Sequence, residues 1–426
     1  MTLALLIAIM LGLLALRVPV WTALLAISVG YLVFEGGGGG PQVVQRLTSG
    51  LDSFPLLAVP FFILAGVVMA GGGVAERMMG FATTLVGHFR GGLAQVNVLN
   101  SLLVGGMSGS ANADAAIDAK ILVPIMRKQG YTNAFASAIS VASGSISPIL
   151  PPSIGLILYG VLGGVSIGDL FIGGVLPGIL IAVALSTTVW VLARMHNFPR
   201  ANERRPSLRE VWRGFRRTFA ALLMPVLLLV GLRMGIMTPT ELGAVLVVYA
   251  LILSIFVYKN IGWRDIPNLL REAVLITGVV MVIIAAASVF AIVVAYERIP
   301  DQLSGLLLGI SDNPVVVMLI INLILLILGI FLESSSLMII LVPVLAPLAV
   351  QLGIDPVQFG IIIVLNLSIG SLTPPVGTVV YTVAAITRVS IPAFVRAFIP
   401  LFLALVVVLL AVTFIPVLST WLPAVL

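Results

Sequence analysis

Runs of roughly 20 apolar residues, parted by short polar interruptions, recur along the whole chain, and each is long enough for a helix to cross a bilayer. Ten crossings follow from the pattern: Leu3–Leu16, Val18–Phe34, Phe54–Gly72, Tyr131–Leu162, Leu170–Leu192, Phe219–Arg233, Leu242–Tyr258, Ala273–Ala295, Val357–Ile386 and Ile391–Leu418. Two further apolar segments, about Gly92–Met126 and Asp312–Gln351, are too long for one span and are broken mid-way by polar or small residues. Both are expected to be re-entrant helical hairpins that enter and leave on the same side. No Lys or Arg precedes Leu3–Leu16 and no small-residue cleavage site follows it, so it reads as a spanning helix and not as a signal peptide.

Composition sharpens this picture. Of 426 residues, 60% are hydrophobic and only 9% charged, and mean hydropathy is +1.23. A soluble domain carries about a quarter of its residues as charges, so the expected class is an all-α polytopic membrane protein. Cysteine is absent, which excludes a disulfide framework, a thiolate nucleophile and a Cys zinc site. The two histidines, His88 and His196, lie in charged segments. With no His or Cys at depth and no second deep carboxylate forming a dyad with Glu333, an intramembrane enzyme has no nucleophile–base pair or metal site to work with.

Charge placement sets the orientation. With the N-terminus outside, Arg17, Arg77, Arg90, Lys120, Arg127, Lys128, the arginines from Arg194 to Arg217, Lys259, Arg264, Arg271, Arg388 and Arg396 all face the cytoplasm. Only Arg46, Arg233 and Arg298 of the 22 basic residues stay outside, as the positive-inside rule requires. Both termini are then external. The Arg-rich stretch 194–217 reads as a topology signal lying along anionic headgroups, so the net charge of +6 does not imply nucleic acid. Gly36–Gly40 is expected to be a flexible external loop, since no strand precedes it and no phosphate-loop motif is present.

The two halves of the chain match each other in order. Pro19 pairs with Pro239, Glu76-Arg77 with Glu297-Arg298, Gly130 with Gly353, Pro151-Pro152 with Pro374-Pro375, and Val165-Ser166-Ile167 with Val389-Ser390-Ile391, at spacings of 220 to 224. The expected organisation is repeat 1 (1–193), a cytoplasmic Arg-rich linker (194–217) and repeat 2 (218–426). Each repeat holds three scaffold-like helices, a hairpin, a broken helix and a last helix. Five crossings per half is odd, so the second half is inverted. Inverted repeats with interrupted helices in matching places mark secondary transporters, with the ion and substrate site near the midplane.

Polar residues gather at four breaks. Hairpin 1 turns at Gly105–Asp114, where the oxygens of Ser108, Ser110 and Asn112 suit a hard cation such as sodium. The alternative is helix packing by the serines and capping by Asn112 or Asp114. Hairpin 2 turns at Gly329–Ser336, where Glu333 is a carboxylate between apolar runs. Ionisable residues at such depth are costly and read as functional, yet Glu333 and Ser334 to Ser336 are equally suited to start the next helix. Ser143–Ser153 and Asn366–Pro375 break the two long crossings. Proline there frees a carbonyl one turn earlier, and each half-helix N-terminus offers partial positive charge to an anion. No Arg or Lys lies in any of the four breaks.

At these residues the chain resembles a known family. SGSANAD at Ser108–Asp114, LPPSIGLILYG at Leu150–Gly160, FLES at Phe331–Ser334, GIDPVQFGI at Gly353–Ile361 and NLSIGSLTPPVG at Asn366–Gly377 resemble the large membrane subunit of tripartite ATP-independent periplasmic (TRAP) transporters. The resemblance covers essentially the whole chain. It implies an ion-transporter-superfamily-like fold of elevator type in a bacterial inner membrane, with both termini periplasmic. It also implies sodium-coupled uptake of an organic acid delivered by a periplasmic binding protein, and a four-helix small membrane subunit as partner. That subunit is not expected to be fused here.

By motif, the resemblance places one sodium site at Ser108, Ser110 and Asn112 with carbonyls around Gly144 and Ser147. The other would use Glu333, Ser334 and Ser335 with Gly370 and Thr373. Substrate would meet Asn112, Asp114, Pro151, Pro152, Ser336, Pro374 and Pro375. One stretch departs from the pattern: Ala116–Lys120 sets Asp118 and Lys120 as an acid–base pair where small residues are expected. A stand-alone carboxylate symporter of the same architecture, sodium-coupled or proton-coupled through Glu333 or Asp114, is the competing reading. Which acid is carried is not written in the chain, because in this family selection lies largely with the binding protein.

Overall fold

The computed structural model describes residues 9–10, 12–13, 16, 18–34, 40–52, 54–311 and 313–425. Within them the chain is helical, with no strand. Its first half runs through α1 (Val20–Phe34), α2 (Gly40–Leu51), α3 (Ala58–Gly71), α4 (Val74–Val86), α5 (Gly92–Ser108), α6 (Ala111–Lys128), α7 (Asn133–Ser143), α8 (Ile154–Gly163), α9 (Ile167–Gly173) and α10 (Val175–Met195). The second half continues with α11 (Leu208–Arg233), α12 (Pro239–Ile252), α13 (Ile266–Tyr296), α14 (Ile299–Ile310), α15 (Pro314–Phe331), α16 (Ser334–Gln351), α17 (Pro356–Ser371), α18 (Thr378–Thr387), α19 (Ile391–Phe414) and α20 (Val417–Val425).

Among the described residues seven helices are long and apolar enough to cross a membrane, or eight when the bent pair α3 and α4 counts as one span. Both arms of the second expected hairpin are among the seven, at 18 residues each. At 1.5 Å per residue such an arm reaches about 27 Å, close to the hydrocarbon thickness. The crossing expected at Leu3–Leu16 lies mostly outside the described residues, as do four of the five glycines of Gly36–Gly40.

Several boundaries differ from the hydropathy reading, each for a local reason. The crossing expected at Phe54–Gly72 continues past a 66° bend into α4, whose Glu76 and Arg77 lower its hydropathy although it buries Val74, Met78, Met79 and Ala82. Gly40 begins the amphipathic helix α2 and is not part of a loop. Inside the expected linker α11 already starts at Leu208, because Ser207 and Glu210 form a reciprocal capping box. Asp118 and Lys120 do not pair: Asp118 is buried and Lys120 exposed, since residues two apart on a helix face different ways.

The four breaks expected from sequence are present. α5 and α6 are joined by Gly109 and Ser110, α15 and α16 by Leu332 and Glu333. α7 is separated from α8 by a 3₁₀ turn (Gly144–Ile146) and the segment to Ser153, and α17 from α18 by Leu372–Gly377. Pro151-Pro152 and Pro374-Pro375 are both cis. In the first pair Asn100 and Ser101 of α5 bond Asp118 of α6, so these arms are antiparallel neighbours. The arms of the second pair pack little on each other: α15 packs on α17, and α16 on α8 and α17.

Packing then exchanges the halves. α6 packs on α7 and also on α18, while α16 packs on α17 and also on α8. Asparagines clasp the first arm of each pair to the broken helix of its own half. Asn97 Nδ2 donates to Ser140 Oγ (2.9 Å) and Ser143 Oγ donates to Asn97 Oδ1 (2.5 Å). Asn366 Nδ2 donates to Asn322 Oδ1 (2.8 Å), and Asn322 Nδ2 to Thr413 Oγ1 (3.0 Å). In hydrocarbon such side-chain bonds hold helices together where the hydrophobic effect does not.

Close backbone approach completes the arrangement. A Cβ on Gly370 of α17 would lie 2.7 Å from Gly329 Cα on α15, the small-residue contact that lets membrane helices touch. Gly370→Ala should therefore lower stability by about 1–3 kcal/mol, the range for overpacking. Gly278→Ala in α13, where a Cβ meets nothing within 4 Å, should be neutral or stabilising by up to ~1 kcal/mol. Thermal unfolding midpoints in nanodiscs check the pair, and equal shifts would contradict the contact.

Candidate functional site

Each break leaves the first turn of a helix without intrahelical partners for its N–H groups. Three of the four helices that restart use a side-chain oxygen as cap. Ser110 Oγ accepts from Ala113 N (3.4 Å), Ser153 Oγ from Leu156 N (3.1 Å), and the Glu333 carboxylate from Ser336 N (3.0 Å). The fourth, α18, starts after Gly377, which has no side chain to cap it.

All four starts meet at one cavity of about 100 Å³. Ala111 and Asn112 open α6, Ile154 and Gly155 open α8, Ser334 and Ser335 open α16, and Thr378 and Val379 open α18; all eight line it. Gly109, Ser110, Pro148, Glu333, Met338, Val364, Ser368 and Ser371 complete the wall. Helix N-termini carry partial positive charge and outward N–H groups, an arrangement that favours negative charge nearby without any Arg or Lys.

The sequence-expected residues divide into three groups. Ser110, Asn112, Glu333, Ser334 and Ser335 line the cavity. Thr382 Oγ1 of α18 donates to Asn112 Oδ1 (3.4 Å) and Ser334 Oγ donates to Leu367 O (3.1 Å), so both sets of tip residues reach a broken helix. Asp114, Ser147, Gly144, Ser336, Gly370, Thr373 and the two Pro–Pro pairs do not line the cavity. Ser147 Oγ donates to Asp114 Oδ2, Ser336 Oγ to Glu333 Oε2 (3.3 Å) and Thr373 Oγ1 to Ile369 O (2.8 Å). A Cβ on Gly144 would lie 3.0 Å from Ala111 O, which places the broken helix directly against the start of α6. The side chain of Ser108 lies outside the described residues.

Gly109 shows why this tip requires glycine. Its φ is +58°, and a Cβ there would lie 2.9 Å from Pro152 O. The first Pro–Pro pair thus shapes the seat of the tip; at the other break Tyr381 Oη donates to Pro375 O (2.7 Å) within the broken helix itself. Glu333 acts as the cap of α16, and its remaining oxygen accepts from Ser335 Oγ (2.9 Å).

Sequence reasoning passed over Ser368 and Ser371, although both stand inside the quoted NLSIGSLTPPVG run. They sit one turn before the break on α17, and that periodicity puts them on the cavity face. Ser371 Oγ donates to Ser368 O (2.7 Å), while Ser368 Oγ is buried without a partner.

A family model described as "Tripartite ATP-independent periplasmic transporter, DctM component" matches residues 7–418. The chain belongs to this family. It is 40% identical to the sialic acid TRAP transporter large permease of Vibrio cholerae, over 97% of this chain and 96% of that protein. It is 37% identical to the C4-dicarboxylate large permease of Rhodobacter capsulatus, over 89% of each. With the 2,3-diketo-L-gulonate large permease of Escherichia coli it shares 37%, over 96% of this chain and 95% of that one. This TRAP large permease is therefore a multi-pass bacterial inner-membrane protein, and a transporter subunit rather than an enzyme.

The partnerless Ser368 hydroxyl gives a test that separates binding from folding. Ser368→Ala removes a buried, unbonded oxygen and should leave stability within about 0.5 kcal/mol of wild type or raise it. It should increase the KM for transported acid by several-fold. A stability loss with unchanged KM would assign Ser368 to packing.

Proposed function

We propose that this large permease carries an organic acid inward, driven by sodium, and that the acid's carboxylate is held by the helix N-termini around the central cavity. The observation that carries this reading is the convergence of four helix starts on one cavity, with α18 uncapped at Gly377. An uncapped first turn offers N–H donors to a carboxylate at the place where a capping side chain would otherwise sit. The named cargoes of its relatives are sialic acid, C4-dicarboxylate and 2,3-diketo-L-gulonate, all anions at neutral pH. We extend that chemical class, and no single acid, to this chain.

Sodium is the coupling ion in this proposal. The oxygens of Ser110 and Asn112 at one tip, and of Glu333, Ser334 and Ser335 at the other, border the cavity where the anion would sit. A cation beside each tip would screen Glu333 from the substrate. Two sodium ions with a monoanion carry net charge +1, worth about 2.3 kcal/mol per 100 mV of membrane potential.

The matched order of elements, the exchange of α6 and α16 between halves, and the twin Pro–Pro breaks support an inverted repeat whose hairpin-bearing part moves as an elevator. Partners in this reading are the small four-helix membrane subunit and a periplasmic binding protein that delivers the acid, consistent with the tripartite family.

Uptake by proteoliposomes holding this chain with the small subunit and the binding protein tests the proposal. Ser110→Ala and Ser334→Ala should raise half-saturating sodium roughly tenfold, equivalent to losing about 1.4 kcal/mol of binding. Arg205→Ala, on the exposed Arg-rich stretch, should change nothing. Equal effects from all three variants, or uptake indifferent to sodium, would overturn the assignment.

A further inference from the structure

One buried acid has no part in the cavity. Asp118 is 2% exposed on α6, two turns from the tip. Its Oδ1 accepts from Asn100 Nδ2 (2.9 Å) and its Oδ2 from Ser101 Oγ (3.1 Å), both on α5. Asp114, one turn back on the same helix, adds a second carboxylate within electrostatic reach. The elements packed most closely on α6 are α5, α7, α18 and the 3₁₀ turn, and none of them contains Lys, Arg, Asp or Glu. The cations of α6 itself, Lys120, Arg127 and Lys128, are exposed.

A second observation concerns the amide bonded to Asp118. Asn100 is 2% exposed, and its Oδ1, on the amide that holds Asp118, has no hydrogen-bond partner. Buried acceptors are almost always satisfied, and a buried carboxylate without a counter-charge is more costly still. An oxygen-only cluster with an orphan acceptor and no resident cation is short of one positive charge.

The other half of the molecule differs at the matching positions. Aligning the two tips at their capping residues, Ser110 and Glu333, places Asn100, Ser101, Asp114 and Asp118 opposite Leu323, Ile324, Leu337 and Leu341. The second half thus has apolar residues at all four positions, but Leu323 and Ile324 are exposed there, so the buried polar contact between two arms is a feature of the first pair alone.

We infer that Asn100 Oδ1, Ser101 Oγ and the Asp118 carboxylate, lying between α5 and α6, form a further site for a single hard monovalent cation, sodium, separate from the tip. One carboxylate with two neutral oxygens, and Asp114 nearby, balances one positive charge better than two. The site lies away from the cavity wall, so its ion would be bound without touching the substrate. The inference rests on sodium being the coupling ion, and the following test reads it apart from that proposal.

The purified full chain in nanodiscs is titrated with sodium chloride against choline chloride at constant ionic strength, and its unfolding midpoint is followed. Ser110→Ala, with the tip weakened, should retain a sodium-specific rise in midpoint. Adding Asp118→Asn should abolish that rise, and Asp118→Asn alone should shift half-saturating sodium upward by at least roughly tenfold, one decade of affinity. If Asp118→Asn does not fold, Asp118→Leu, the residue of the second half, and Ser101→Ala read the same response. A sodium response unchanged by these variants overturns the site while leaving the uptake proposal to its own assay. Stabilisation by acid at zero sodium that disappears in Asp118→Asn overturns sodium in favour of a proton.

Discussion

A helix that stops inside a membrane exposes backbone N–H and C=O groups where no water replaces their partners, and each unsatisfied group costs several kcal/mol, on the order given for hydrocarbon. This constraint organises the centre of the molecule. Four helices restart in the interior, and the protein answers with Ser110, Ser153 and Glu333 as caps. Each cap serves the first turn of its own helix, and the four restarted helices begin around one cavity, where their end groups share a common volume.

Precision at that volume comes from residues with little side chain. Gly109 lets the first tip sit on Pro152, and Gly329 with Gly370 brings α15 against α17. The asparagine clasps fix the first arm of each pair at depth. Cross-packing of α6 on α18 and of α16 on α8 then ties each tip to the other half, so neither tip can shift without moving the opposite broken helix. The proposed ion-coupled carrier would need such coupling between two otherwise similar units.

The sequence was most readable where the chemistry is punctuated. Pro-Pro, Gly-rich turns and Ser clusters announce the four breaks, because proline and glycine act locally. The helices missed were those whose burial depends on partners. α4 is short and carries Glu76 and Arg77, and α2 shows only an amphipathic face, so window hydropathy passes over both. α11 began early because a capping box acts through two residues, not through average polarity. At the site, Ser110, Asn112 and Glu333 were legible as polar residues in apolar runs, whereas Ser368 needed the helical face of α17. Asp118 was noticed but set beside Lys120 by sequence proximity. Helical geometry separates that pair and turns the acid toward Asn100 and Ser101 instead.

That turned acid makes the two halves chemically unequal on the same backbone plan. Leu337 and Leu341 keep the second pair apolar where the first carries Asp114 and Asp118. With a cation bound, the first pair presents a smaller net charge to the bilayer; without it, an uncompensated carboxylate would have to accompany any movement of the pair through low dielectric. The empty and the loaded forms then differ in electrostatic cost at a point remote from the substrate. A coupling ion placed there, as proposed, would disfavour movement of the partly loaded protein without competing for contacts in the cavity. In the proposed elevator the repeated scaffold would supply the movement, and the asymmetric charge would restrict which loaded states can make it.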